Sequence, residues 1–171
     1  SSSSAASDVY KRQGNTTVEM NGNVNATATA TKDGGTAYSL YADEGTMTLA
    51  GPANHLTGDV VVNNAGTLEL GSTAHASETT LTGNLTADAS STVKATNQTI
   101  RLGLDNTMNV AGTFAGENAT VIYDTDVEGG VTIANNTASK ARILASSRLT
   151  DLYDTPQELV AVSYTHLTLP T

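Results

Sequence analysis

Histidines, spaced carboxylates and ranked threonines are the side chains of this sequence with chemistry to offer. His55 and His75 both sit in turn-like stretches. An imidazole works as an acid-base group or a ligand only when a second group shares its proton or its metal. Neither histidine has a partner at i+4, a serine elbow or a neighbouring carboxylate cluster. Both are therefore expected to be exposed loop residues. Asp124 and Asp126 are two apart, the spacing that points two side chains the same way from a strand, and Asp105 and Arg101 lie one repeat earlier. Paired acids ~5 to 9 Å apart would suit glycoside cleavage.

Other patterns weaken each of these chemistries. The clustered Asp-Asp, Gly-His-Gly and Arg-x-Lys pattern of pectin hydrolases is missing, and carboxylates on an extended surface ordinarily serve solubility. Calcium-binding GGxGxDx repeats are also missing, and a lone D-x-D at Asp124 does not make a site. The stretch NATATATK (25–32) suggests Thr-x-Thr ranks of the kind that bind ice, but such ranks must recur. GTMT (45–48) keeps the pair, whereas GTLE (66–69), STVK (91–94) and GTFA (112–115) keep only the first threonine. A β-branched strand is the expected role. Asn-x-Thr acceptor motifs occur at Asn15, Asn25, Asn84, Asn97, Asn118 and Asn135, a slight excess over chance in so Asn- and Thr-rich a chain. No catalytic, cofactor-binding or metal-binding residue is assigned, and no cofactor is expected.

The elements that carry these side chains repeat. GDVVV (58–62), GNLTA (83–87), NTMNV (106–110) and GGVTI (129–133) start 25, 23 and 23 residues apart. GTMTL (45–49), GTLEL (66–70), STVKA (91–95) and GTFAG (112–116) interleave with them, 21, 25 and 21 apart. Each is a turn residue or two followed by apolar-polar alternation, which is strand periodicity. Strands this short are marginal as isolated hairpins. Stacking repeats as rungs of a parallel coil solves this, with Val60 and Val62 beneath Leu85 and Ala87, then Met108 and Val110, then Val131 and Ile133. Met47 and Leu49 would likewise stack with Leu68 and Leu70, Val93 and Ala95, and Phe114. The expected fold is all-β, a parallel β-helix (β-solenoid) of right-handed sense with rungs of about 21–25 residues and five or six rungs in all. Asn and Gly would supply positive φ at corners such as NNAG (63–66), and Asn side chains would stack as ladders. Meander hairpins are the competing arrangement.

VVVNNAGTLELGS (60–72), GNLTADASSTVKA (83–95) and NVAGTFAGENATVIY (109–123) resemble the passenger region of bacterial autotransporters and related filamentous adhesins, over roughly residues 45–135. The resemblance implies a secreted passenger displayed at the cell surface by a C-terminal outer-membrane barrel, acting as adhesin or structural stalk without catalysis. It implies host surface glycans or proteins, or self-association, as partners. The alternative is a polysaccharide-processing β-helix enzyme or phage tailspike, and a surface-layer or matrix protein is a third reading.

The ends differ from the middle. One short DNA, read on opposite strands, encodes both Ser3–Gln13 (SSAASDVYKRQ) and Val162–Thr171 (VSYTHLTLPT). It resembles the transposase adapter used to prepare sequencing libraries, so residues 1–13 and 162–171 are set aside as translated adapter, the first expected to be disordered. Val162, Tyr164 and Leu167 nevertheless suit a strand that adds to a sheet edge. Any leader, anchor or further domain is expected outside the cuts that these ends mark. Residues 14–137 are assigned to the solenoid, and 138–161 to its end or an excursion. TPQE (155–158) reads as a capping box, predicting a short helix over 155–161.

Between the adapters, residues 14–161 hold 6 Lys and Arg against 16 Asp and Glu, a formal charge of −10. That balance disfavours nucleic acid. No apolar run approaches the ~20 residues of a membrane-spanning helix. Cysteine is absent, which removes disulfides and thiol chemistry.

Overall fold

The computed structural model describes residues 4–5, 10–12, 17–28, 37–103, 106–124, 130–136, 141–146, 157–159 and 165–167, the first two segments and the last three as backbone only. The chain is a parallel β-solenoid of about four turns, three strands to a turn. The first face stacks Tyr38–Asp43, Asp59–Asn63, Leu85–Ala87, residues 108–110 and Val131–Asn136. The second stacks Thr17–Met20, Thr46–Leu49, Thr67–Gly71, residues 92–96 and 113–117. The third stacks Asn25–Thr27, Ala53–Thr57, Ser77–Thr82, residues 98–102, 119–124 and Ala141–Ser146. Parallel strands need a crossover connection, and here the rest of each turn is that crossover.

Alternation in each strand sends every second side chain inward, and the coil places it over its counterpart one turn away. Val60, Leu85 and Met108 are in register and fully buried, as are Val62, Ala87 and Val110. On the second face Met47, Leu68, Val93 and Phe114 form the matching column. These two columns pair as the repeat predicts. The third face completes the turn with Leu56, Leu81, Ile100 and Val121 among its inward residues. Its alternation is harder to read because Asn54, Ser77, Thr79 and Gln98 also point inward and are buried. Asn54 Oδ1 accepts from Val24 N at 3.0 Å, its Nδ2 donates to Thr79 Oγ1 at 3.4 Å, and Gln98 Nε2 donates to Ser77 Oγ at 2.9 Å.

The corners divide two tasks between residue types. Glu44, Asn64 and Ala65 take the positive φ between the first and second faces, at 71°, 54° and 61°. Gly66 is needed for space instead, since a Cβ there would press on the Asn63 and Ala42 carbonyls. Asn97 and Asn118 each turn the corner between the second and third faces as single left-handed residues, with φ of 47° and 51°. Asn118 Nδ2 donates to Asn97 Oδ1 at 2.7 Å, the rung-to-rung ladder expected of corner asparagines.

Five strands stack on the first and second faces and six on the third, the five or six rungs expected, joined by about four full turns of chain. One expectation is corrected. Among the described residues there is no helix: where 155–161 predicted one, Gln157–Leu159 pairs antiparallel with Ala141–Ser146. The capping pattern is a local preference of about 1 kcal/mol, and an open strand with unsatisfied backbone groups outweighs it. Thr165–Leu167 likewise adds antiparallel to Val131–Asn136, at the edge where the sequence places it. Ser4–Ala5 and Tyr10–Arg12, inside the N-terminal stretch, pair parallel with Asn25–Thr27 and Tyr38–Asp43.

Truncating the column tests this architecture. Leu68→Ala should cost about 2–5 kcal/mol in urea unfolding, since its turn above and below cannot close the void. Thr86→Ala, exposed on the first face, should stay within about 0.5 kcal/mol.

Candidate functional site: the second outer face

Outward residues of the second face form columns as regular as those inside. Thr17, Thr46, Thr67, Thr92 and Thr113 are aligned from turn to turn, so the single conserved-register threonine of GTMT, GTLE, STVK and GTFA becomes a continuous hydroxyl file. Beside it runs a mixed column, Glu19, Thr48, Glu69, Lys94 and Ala115. The second member of each rank varies, as the sequence indicates, so no repeated Thr-x-Thr array forms across these turns.

A groove of about 250 Å³ opens over the mixed column. It is bounded by Glu19, Thr48, Glu69 and Lys94, with Ala50, Gly71 and Thr96 alongside and Ser72 and Thr73 at one wall. The wall exists because the second turn makes its corner with a longer loop, Ser72 to Ala76, where the next two turns use one asparagine each. The loop is tied down. Asn97 Nδ2 donates to Ser72 O at 3.0 Å, and Ala74 N donates to Ser72 Oγ at 3.0 Å. Gly71, at φ 98°, makes the floor, where a Cβ would run into the Thr96 carbonyl. Glu69 is in register with both Thr48 and Lys94, so carboxylate, hydroxyl and ammonium groups adjoin one another along the axis. Such a surface can exchange hydrogen bonds with a polar ligand at every turn.

The residues singled out in the sequence fall elsewhere. His55 is exposed, as expected, but lies within the strand Ala53–Thr57 and not in a loop. Its position alternates outward, a pattern the neighbouring Pro52 and Asn54 obscure in sequence. His75 is exposed on the Ser72 to Ala76 loop, its Nδ1 3.1 Å from Ala76 O. Arg101 Nε donates to Glu78 Oε2 at 2.7 Å across one turn of the third face. Asp105 and Asp126 lie outside the described residues, as does the side chain of Asp124, whose backbone ends the strand Met108–Asp124. Of the stretch 25–32, Asn25–Thr27 is a strand of the third face, and residues 29–32 lie outside the described residues. Among the described residues no three acidic or histidine side chains are grouped to hold a metal ion. No described helix is long and apolar enough to cross a membrane.

The acceptor motifs acquire a structural explanation. In the motifs at Asn25, Asn84, Asn97 and Asn118 the middle residue (Ala26, Leu85, Gln98, Ala119) is buried in the coil. Corner asparagine, inward residue, outward threonine is simply how a strand leaves a corner. The amides are also engaged: Asn84 Oδ1 accepts from Thr107 N at 3.0 Å, and Asn135 Nδ2 donates to Thr113 Oγ1 at 3.4 Å. Asn15 lies outside the described residues.

Comparison with protein-family models, with curated proteins and with solved structures gave no match. The geometry itself must carry the functional reading.

The strongest electrostatic feature is structural. Asp88 closes the corner between the first and second faces: Oδ1 accepts from Ser90 N, Ser90 Oγ and Ser91 Oγ at 3.1, 2.8 and 2.7 Å, and Oδ2 accepts from Asn64 N at 2.8 Å. Burial raises its pKa, but these donors together outweigh burial and hold it at about 2. A carboxyl depressed on folding stabilises the fold above its unfolded value near 3.8 and loses that contribution as pH falls towards 2. Asp88→Asn should therefore lower stability near neutral pH by about 1 kcal/mol. It should also flatten the loss of stability between pH 4 and 2, measured by urea unfolding across that range.

Proposed function

We propose that the chain belongs to a secreted β-solenoid passenger displayed on a bacterial cell surface, acting as an adhesin or stalk without catalysis. The observation that carries this reading is the continuous stack itself. A coil whose turns are bonded only to their neighbours lengthens by adding turns, so it makes a rod and repeats each outer column along it. Weak polar contacts to a surface then sum by multivalency. The resemblance of residues 60–72, 83–95 and 109–123 to autotransporter passengers points the same way and supplies the cell-surface location and the outer-membrane barrel as the means of display. The acidic surface supports a partner other than nucleic acid, namely surface glycans or proteins, or further copies of the chain.

We also read residues 3–13 and 162–171 as translated adapter. The single short DNA that encodes both stretches on opposite strands supports this reading.

The catalytic alternative requires the Asp105, Asp124 and Asp126 carboxylates to converge on Arg101. Its guanidinium is instead paired with Glu78 on the preceding turn. Bacterial surface display supplies the test: residues 14–161, fused to an outer-membrane barrel, should make cells adhere to or aggregate on surfaces that control cells ignore. Glycan turnover by the purified chain that disappears in Asp124→Asn would replace the stalk with an enzyme. The uncut genomic reading frame should show an export signal upstream, a barrel downstream and neither adapter stretch.

A further inference from the structure

Resting on the reading of the chain as a binding rod, we propose that the groove on the second outer face binds an uncharged glycan, extended along the solenoid axis with one sugar against each turn. The spacing is the first argument. Outward positions recur every ~4.8 Å along the axis, close to the advance of an extended hexose chain per sugar, so successive sugars meet successive turns in similar poses.

The lining is the second argument. Thr48, Ser72, Thr73 and Thr96 offer hydroxyls, Glu19 and Glu69 offer acceptors for sugar hydroxyls, and Lys94 offers a donor to ring or linkage oxygens. Gly71 lines the groove without a side chain of its own. The wall is already fixed by the Asn97 to Ser72 bond, so little ordering is required on binding.

Charge selects the kind of glycan. Two carboxylates to one ammonium in the groove, on a chain of net charge −9, repel uronate and sulfate polymers and leave neutral or N-acetylated sugars. An extended peptide is the less suitable occupant, because strand addition needs an open sheet edge. The groove lies on a sheet face whose strands are hydrogen-bonded on both sides.

Titration calorimetry of the 171-residue chain with cello- and chito-oligosaccharides tests the assignment. Affinity should rise from the dimer to the tetramer and then level off, because four turns, those of Glu19, Thr48, Glu69 and Lys94, line the groove. Hexagalacturonate should bind more weakly. Glu69→Gln and Lys94→Ala should each weaken binding of the neutral hexamers about tenfold, the loss of one charge-assisted hydrogen bond. Their melting curves should match that of the parent, and Thr86→Ala on the first face should bind as the parent does. Three results would overturn the assignment: no binding of either neutral series, equal binding by the two groove variants, or tighter binding of the polyanion or of an unstructured peptide. The two readings fail separately: cells that adhere through a chain unable to bind these sugars keep the rod and lose the groove, whereas sugar binding with the expected pattern on non-adherent cells does the reverse.

Discussion

Every feature of this protein depends on register between successive turns. A parallel ladder fixes which residue lies over which, and strand alternation then fixes which side chains share the interior. A slip by one residue would move Val60, Leu85 and Met108 from the core column to the surface and bring Val61, Thr86 and Asn109 inside. The penalty for such a slip grows with the number of turns, which is why short strands that could not hold together as hairpins are stable here. The core is thin, and low aromatic content suits it. Among the described residues most inward positions are Val, Leu, Met or Ala, and Phe114 is the largest fully buried side chain.

Register constrains the corners as strictly as the strands. Because each corner sits on the one before it, a polar group left unpaired in one turn finds its partner in the next. Asn64 donates to Asp43 on the preceding turn and to Asp88 on the following one. Asp59, Asn84 and Thr107 repeat the device between the third and first faces. A turn that departs from this pattern must be stabilised separately. The Ser72 to Ala76 loop does so through Asn97, and its departure is also what makes a groove on an otherwise flat face. The interior tolerates less: Gln98 satisfies its amide through Ser77, yet its Oε1 has no partner among the described residues.

The first and second faces were legible in sequence because their inward residues are apolar and their spacing varies by only a few residues. Both columns named from the repeat are the columns found. The third face was not, for two physical reasons. Polar Asn54, Ser77, Thr79 and Gln98 interrupt its apolar alternation, and the long second-turn corner changes its spacing. The groove was illegible for a different reason: Glu19, Thr48, Glu69 and Lys94 are separated by more than twenty residues at each step, and only the completed register aligns them. The first threonine of each GT-type segment was visible as a repeat, but nothing in one segment announces the file it forms.

The same constraint explains why chemistry-bearing residues were misleading when read singly. An Asn-x-Thr triplet, a Thr-x-Thr pair or a lone histidine takes its meaning from whether the neighbouring turns repeat it. Asn97 and Asn118 recur at one corner and become a ladder, so their amides stabilise the coil and are not free for other uses. His55 faces outward in register with Asn25 and Thr80, so no second imidazole or carboxylate stands beside it in the ladder. Glu69, by contrast, has a hydroxyl on one side and an ammonium on the other, a combination that the stacking creates and no local motif encodes. In a solenoid, function is therefore written across turns, along the axis, and the second outer face is where that direction carries the most varied chemistry.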